Sequence, residues 1–190
     1  MKSIISFVLI IMFLTTIVSV YGQSEFKEYK GSLVEFQYPI EWESVMTEGL
    51  DTEDISEFLK GSHIPKDNRI AFDIPNTKGK FTILIEDSDK KNLEELLQEQ
   101  IGFYSGEDIM GGKEETLEIT DVNLSGEPAK KIIVYAKEVD KRLYDTKIMQ
   151  IVSLHDNKRY SIVYLMNPAS FDNHLPTIEK MIQSFKFTQN

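Results

Sequence analysis

The chain has 190 residues, no cysteine, and 21 Lys+Arg against 31 Asp+Glu, a formal charge of −10. The missing cysteines exclude disulfide staples, a thiol nucleophile, thiolate metal sites and lipid attachment through a cysteine. The acidic balance repels phosphate backbones and opposes binding to an anionic membrane surface, which argues against a nucleic-acid partner.

At the N-terminus, Lys2 precedes the apolar run Ile4–Leu14, then Thr15, Thr16 and Ser19 dilute it, and Val20-Tyr21-Gly22 closes it. A basic tip, a short apolar core and small residues before a cut are what a signal peptidase reads. Residues 1–22 are therefore expected to be a signal peptide, with Gln23 as the new terminus and the protein working outside the cytoplasm. The alternative is an uncleaved anchor, since Ile4–Val20 covers 17 residues, the short limit of the roughly 17–25 that span a bilayer. The remaining 168 residues (23–190) need no staple, because a domain of that size buries about 70% of its unfolded surface. Residues 23–31 read as a short polar lead-in and 32–190 as one domain.

Leu33–Tyr38 alternates, placing Val34, Phe36 and Tyr38 on one face of a strand that Pro39 ends before Trp42. Asp51–Gly61 reads as a short helix, with acids in its first turn and glycine past its end. Arg69–Ile74 and Phe81–Glu86 are predicted strands around the turn residues Pro75–Gly79. Asp89–Tyr104 is the clearest helix, with Leu93, Leu96, Leu97 and Ile101 in one stripe, Asp89 as its N-cap and Gly106 stopping it. Thr116–Val122, Lys131–Ala136, Ile148–Leu154 and Arg159–Leu165 follow as strands, with Leu124–Pro128 and His155–Lys158 as turns. A last helix from about Leu175 to Gln183 buries Ile178 and Ile182, and Phe185 and Phe187 close the core. Mostly sequential strands covered by helices predict an α+β layered domain around an antiparallel sheet.

Candidate chemistry is sparse. His63, His155 and His174 are far apart and none forms a His-x-x-x-His or Glu-x-x-His pair. No Gly-x-Ser-x-Gly elbow is present. Gly106–Glu114 resembles a phosphate loop, but its lysine comes one place late, Glu114 replaces the hydroxyl, and it follows a helix instead of a strand. Asp87-Ser88-Asp89 hints at a calcium loop, yet Lys91, Asn92 and Gln98 stand where that loop needs an acid or Asn, a Gly and a Glu. No pair among the 31 acids stands out as a glycosidase acid and nucleophile. The expectation is therefore no catalytic residue and no required cofactor, with calcium or another metal left open. Asn123-Leu124-Ser125 is an N-glycosylation sequon beside a turn, which makes Asn123 a candidate modification site.

Three stretches together resemble the PsbP family, whose founding members are extrinsic subunits of the oxygen-evolving complex of photosystem II. They are Phe36-Gln37-Tyr38-Pro39-Ile40-Glu41-Trp42, then Leu124–Ile132, then Tyr160–Tyr164 followed by Phe171 and Leu175–Lys186. The chain looks most like small exported PsbP-related proteins found outside photosynthetic organisms, notably in archaea. The resemblance runs from about Tyr29 to the C-terminus and implies an α/β/α sandwich with a central antiparallel sheet, shared with Ran-binding Mog-type proteins. It also implies a non-enzymatic accessory role, holding a protein partner or membrane-bound complex at the cell envelope. The alternative is an extracytoplasmic carrier of a small ligand or metal ion. No family site residue transfers: Phe36, Tyr38, Trp42, Tyr160 and Phe185 carry the match and read as packing residues.

Overall fold

A computed structural model of the chain describes residues 25–42, 68–104, 114–136 and 145–188. The signal peptide expected at 1–22, the helix expected at Asp51–Gly61, His63, and all of the Gly106–Glu114 loop but Glu114 lie outside the described residues. The described elements are, in order, β1 (Phe26–Lys30), β2 (Val34–Pro39), β3 (Arg69–Asp73), β4 (Lys80–Asp87) and α1 (Leu93–Tyr104). They continue with β5 (Glu114–Leu124), β6 (Glu127–Ala136), β7 (Thr146–His155), β8 (Lys158–Met166), α2 (Pro168–Gln183) and β9 (Lys186–Phe187).

Six strands form one antiparallel sheet in the order β3-β4-β8-β7-β6-β5, and β1-β2-β9 form a second, smaller one. Alternation along each central strand sends side chains to two opposite cores. On one face Ile148 and Val152 of β7, Ile132 and Val134 of β6 and Val163 of β8 pack under Leu96, Leu97 and Tyr104 of α1. On the other, Met149, Ile151, Tyr160, Ile162 and Tyr164 meet Phe171, Ile178 and Met181 of α2 together with Val34 and Phe36 of the small sheet. The result is the expected α+β sandwich, an antiparallel sheet between α1 on one side and α2 with the small sheet on the other.

Local chemistry accounts for the turns. Asp156 and Asn157 (φ 49° and 58°) join β7 to β8, and Ser125 and Gly126 (φ 54° and 93°) join β5 to β6. Two successive left-handed residues are the mirror-image turn whose twist matches that of paired strands.

Four boundaries differ from the sequence expectation. The lead-in read at 23–31 contains β1, which pairs with β2 along its whole length (Phe26↔Pro39 to Lys30↔Glu35). Asp89 is not the N-cap of α1: the helix starts four residues later, where Asn92 Oδ1 accepts from Glu95 N at 2.9 Å and Glu95 Oε2 accepts from Lys91 N at 3.1 Å. This Asn-x-x-Glu exchange satisfies backbone N–H groups at the helix entrance that a cap at Asp89 would leave behind. Strands β5 and β6 run longer than expected and meet at the two-residue turn, with Pro128 inside β6. Helix α2 begins at Pro168, not near Leu175, because Asn167 caps it (Oδ1 from Ser170 N, 2.9 Å) and Pro168 fits the first turn. Pro176 then sits on an exposed flank inside the helix.

The aromatic residues that carried the resemblance pack as expected. Phe36, Trp42, Tyr160 and Phe185 are buried. Half-buried Tyr38 leans on Phe72, with ring centres 5.0 Å apart. No helix among the described residues is long and apolar enough to cross a membrane.

Candidate interaction site

The C-terminus of the chain returns to its beginning. Helix α2 ends at Ser184, whose Oγ donates to Met181 O (2.8 Å) and accepts from Gln37 N of β2 (2.8 Å). Strand β9 then pairs with β2, Val34↔Phe187 and Glu35↔Lys186. Thr188 locks the end, Oγ1 to Ser32 O at 2.6 Å. This seam leaves an open cleft of about 210 Å³ lined by Glu28, Glu35, Phe36, Gln37, Ser184 and Lys186.

The cleft holds charges of both signs. Glu28 pairs with Lys30 at 3.1 Å, and the hydrogen bond to Glu28, with the fields of Glu28 and Glu35, raises the pKa of Lys30. Glu35 and Lys186 are direct cross-strand partners, yet among the described residues neither is in an ion pair. The last carbonyls of α2 add partial negative charge at the same end. Such a cleft can accept a cation against Glu35 and an anion against Lys186. The Ser184 hydroxyl in this cleft gives its proton to the Met181 carbonyl.

The sequence-derived candidates lie elsewhere. Asp87 is held by Lys158 Nζ (2.6 Å) and Asp89 by Lys90 Nζ (3.1 Å), so the two acids of the calcium hint are engaged by different lysines. His155 stacks on Phe187 with ring centres 4.2 Å apart. Its Nδ1 lies 3.4 Å from Glu127 and its Nε2 3.4 Å from Asp156, but Nε2 makes no hydrogen bond in that geometry. His174 is half-buried on α2. Among the described residues no three His, Asp or Glu side chains gather as metal ligands. Asn123 is exposed, and its Oδ1 accepts from Gly126 N at 2.7 Å, leaving the side-chain nitrogen that a glycan would use free of that bond. The cleft residues were missed because they come from both ends of the chain: Gln37 and Ser184 are 147 positions apart.

No family model matches the sequence, and no curated protein matches it. Solved structures do. Cyanobacterial PsbP from Synechocystis sp. PCC 6803 superposes with a TM-score of 0.59, covering 90% of this chain and 97% of that one at 11% identity. The chain has the PsbP/Mog1 fold. The Ran-binding protein Mog1p of Saccharomyces cerevisiae matches with a TM-score of 0.50, 12% identity and coverage of 86% and 95%. LpqN of Mycobacterium tuberculosis, described as involved in cell envelope biogenesis, matches with a TM-score of 0.50, 9% identity and coverage of 88% and 93%. At these identities what is shared is the PsbP/Mog1 fold, a scaffold on which function depends on the site each member carries.

Proposed function

We propose that this chain is an exported, non-enzymatic accessory protein that holds a protein partner at the cell envelope, with the seam cleft as part of the contact surface. The observation that carries the reading is the Glu35–Lys186 pair, two opposite charges facing each other across β2 and β9 with neither committed to an ion pair among the described residues. Charges left open at the rim of a shallow cleft serve recognition by complementarity better than they serve chemistry. The fold agrees with this use: one neighbour is a Ran-binding protein and another takes part in envelope biogenesis. The export signal expected at residues 1–22 supports a location outside the cytoplasm.

The test places a photo-crosslinking amino acid at Gln37 in the full chain expressed in its own host. A discrete adduct with one envelope protein, lost on Lys186→Glu, supports the reading. Adducts unchanged by that charge reversal, or turnover of a defined substrate abolished by one polar substitution, overturn it.

The cleft's size favours a second reading. About 210 Å³ falls below the roughly 300–1,000 Å³ of drug-sized ligand sites and suits a small zwitterion held between Glu35 and Lys186. Calorimetry with free amino acids distinguishes the two readings: saturable heat lost in Lys186→Glu assigns the cleft to a small ligand.

A further inference from the structure

We propose that Arg69, remote from the seam cleft in sequence and on the other sheet, is the anchor of a carboxylate-binding site at the β3 edge of the six-stranded sheet. Arg69 opens β3, opposite Leu84 of β4, and shares its face of the sheet with Ala71 and Asp73 and with Thr82 and Glu86 across the ladder. The residue as a whole is half-buried, but its Nε and Nη2 are shielded from water and neither has a hydrogen-bond acceptor. These two nitrogens form one edge of the guanidinium, the planar fork that meets the two oxygens of a carboxylate side by side.

Arg159, on β8 of the same sheet, shows what such a fork does when an acceptor is built in. Its Nε and Nη2 both reach Glu86 Oε2, the first at 2.9 Å, while its Nη1 reaches Glu99 of α1 at 2.5 Å. The acids on Arg69's own face are committed elsewhere: Glu86 to Arg159, and Asp73 to Lys80 at 2.9 Å. A guanidinium stays charged in a protein even when burial lowers its pKa, as it does here. Two guanidinium nitrogens held away from both water and an acceptor carry a cost, and a ligand that fills the fork removes that cost on binding. The formal charge of −10 selects among oxyanions, since a multiply charged phosphate is repelled more strongly than a single carboxylate. Strand β3 is the outer strand of its sheet, with β4 alone beside it among the described residues.

The carboxylate belongs either to a free small acid or to an acidic side chain on a peptide. The test uses the full chain labelled with ¹⁵N and follows the Nε–H resonances of its three arginines, Arg69, Arg142 and Arg159, with Arg69 assigned through its β3 backbone. The probes are sodium acetate, an acetylated and amidated pentapeptide with one central glutamate, and its glutamine counterpart. The expected result is a saturable downfield shift of the Arg69 signal while that of Arg159 stays in place, with affinity weakened about tenfold or more by Arg69→Lys, which keeps the charge but not the fork. Saturation by the glutamate peptide at tenfold lower concentration than acetate assigns the site to a peptide carboxylate, and equal concentrations assign it to a free acid. The proposal is overturned if neither probe moves Arg69 saturably, or if sodium chloride reproduces the shift. A signal already downfield and indifferent to every probe also overturns it, because the acceptor then comes from within the chain. The wild-type titration decides these outcomes even where Arg69→Lys fails to fold.

Discussion

Tyr104 Oη donates to Gln150 Oε1 at 2.8 Å inside the packed interface between α1 and β7. Gln150 Nε2 in turn donates to Gln100 Oε1 at 2.8 Å. The chain places polar groups among Leu96, Leu97, Ile148 and Val152, where each must be satisfied internally. The network thereby fixes where α1 lies along the sheet, which hydrophobic contact alone does not specify. Tyr104→Phe keeps the ring and strips the donor from a buried amide oxygen. The expected cost is about 1–3 kcal/mol, read as a lower denaturant midpoint at unchanged slope, and a midpoint equal to wild type would show that the bond adds nothing.

Acid should loosen the packing of the same helix. Glu99 of α1 lies 3.0 Å from Lys90 and 2.5 Å from Arg159. Burial alone would raise its pKa, but the hydrogen bonds and fields of Lys90 and Arg159 outweigh it and hold the carboxyl below its usual range. A depressed folded-state pKa means the stabilisation is complete above the unfolded value of about 4.3 and is lost as pH falls through the folded value. Because Glu99 is 40% exposed, the contribution belongs to the surface ion-pair range of about 0.2–1 kcal/mol. Glu99→Gln is expected to lower stability at pH 7 by that amount and to flatten the fall in stability as pH drops through and below the unfolded value of about 4.3. Parallel pH profiles for the two proteins would sink this assignment.

Phe72 is the hub of the larger core. Its ring lies 5.0 Å from Tyr38, 6.0 Å from Phe36, 6.3 Å from Phe81 and 6.4 Å from Trp42. It therefore joins the small sheet to the six-stranded one. Phe72→Ala should cost about 3–5 kcal/mol. Trp42, at one edge of that cluster, is the only tryptophan in the chain, so its fluorescence reports the loss directly. A wild-type emission maximum together with wild-type stability would refute the hub role.

The β7–β8 turn can be improved. Asn157 holds φ 58° at its second central position, where glycine removes the penalty on Cβ and completes the preferred mirror-image turn. Asn157→Gly is expected to raise stability by less than about 1 kcal/mol, measured as a small rise in Tm. A fall would mean that the asparagine side chain stabilises the turn.

How much was legible from the residues follows the range of the interactions. Val34 and Phe36, Ile148 and Val152, and Tyr160 and Ile162 declare their strands by period-two alternation, a signal carried by the residues themselves. Strand β1 was missed because Phe26-Lys27-Glu28-Tyr29-Lys30 has three charges in five residues, and its strand state depends on β2 alongside. Helix α2 was shortened because Pro176 reads locally as a start, whereas packing of Phe171 and the bond from Tyr164 Oη to Phe171 O (2.8 Å) hold the first turns in place.

The chain's composition and local patterning determined an acidic, cysteine-free α+β domain, its main strands, and the resemblance that the PsbP/Mog1 fold bears out. These depend on identity and short-range spacing, which a one-dimensional string preserves. Only the tertiary structure decided that Glu35 and Lys186 face each other, that Asp87 and Asp89 are held by separate lysines, and that the fork of Arg69 is buried while that of Arg159 is filled. Each of those facts depends on which side chains the folded backbone brings beside one another. The physical reason is that charge and hydrogen bonding act through space, between residues whose separation along the chain carries no trace of their contact.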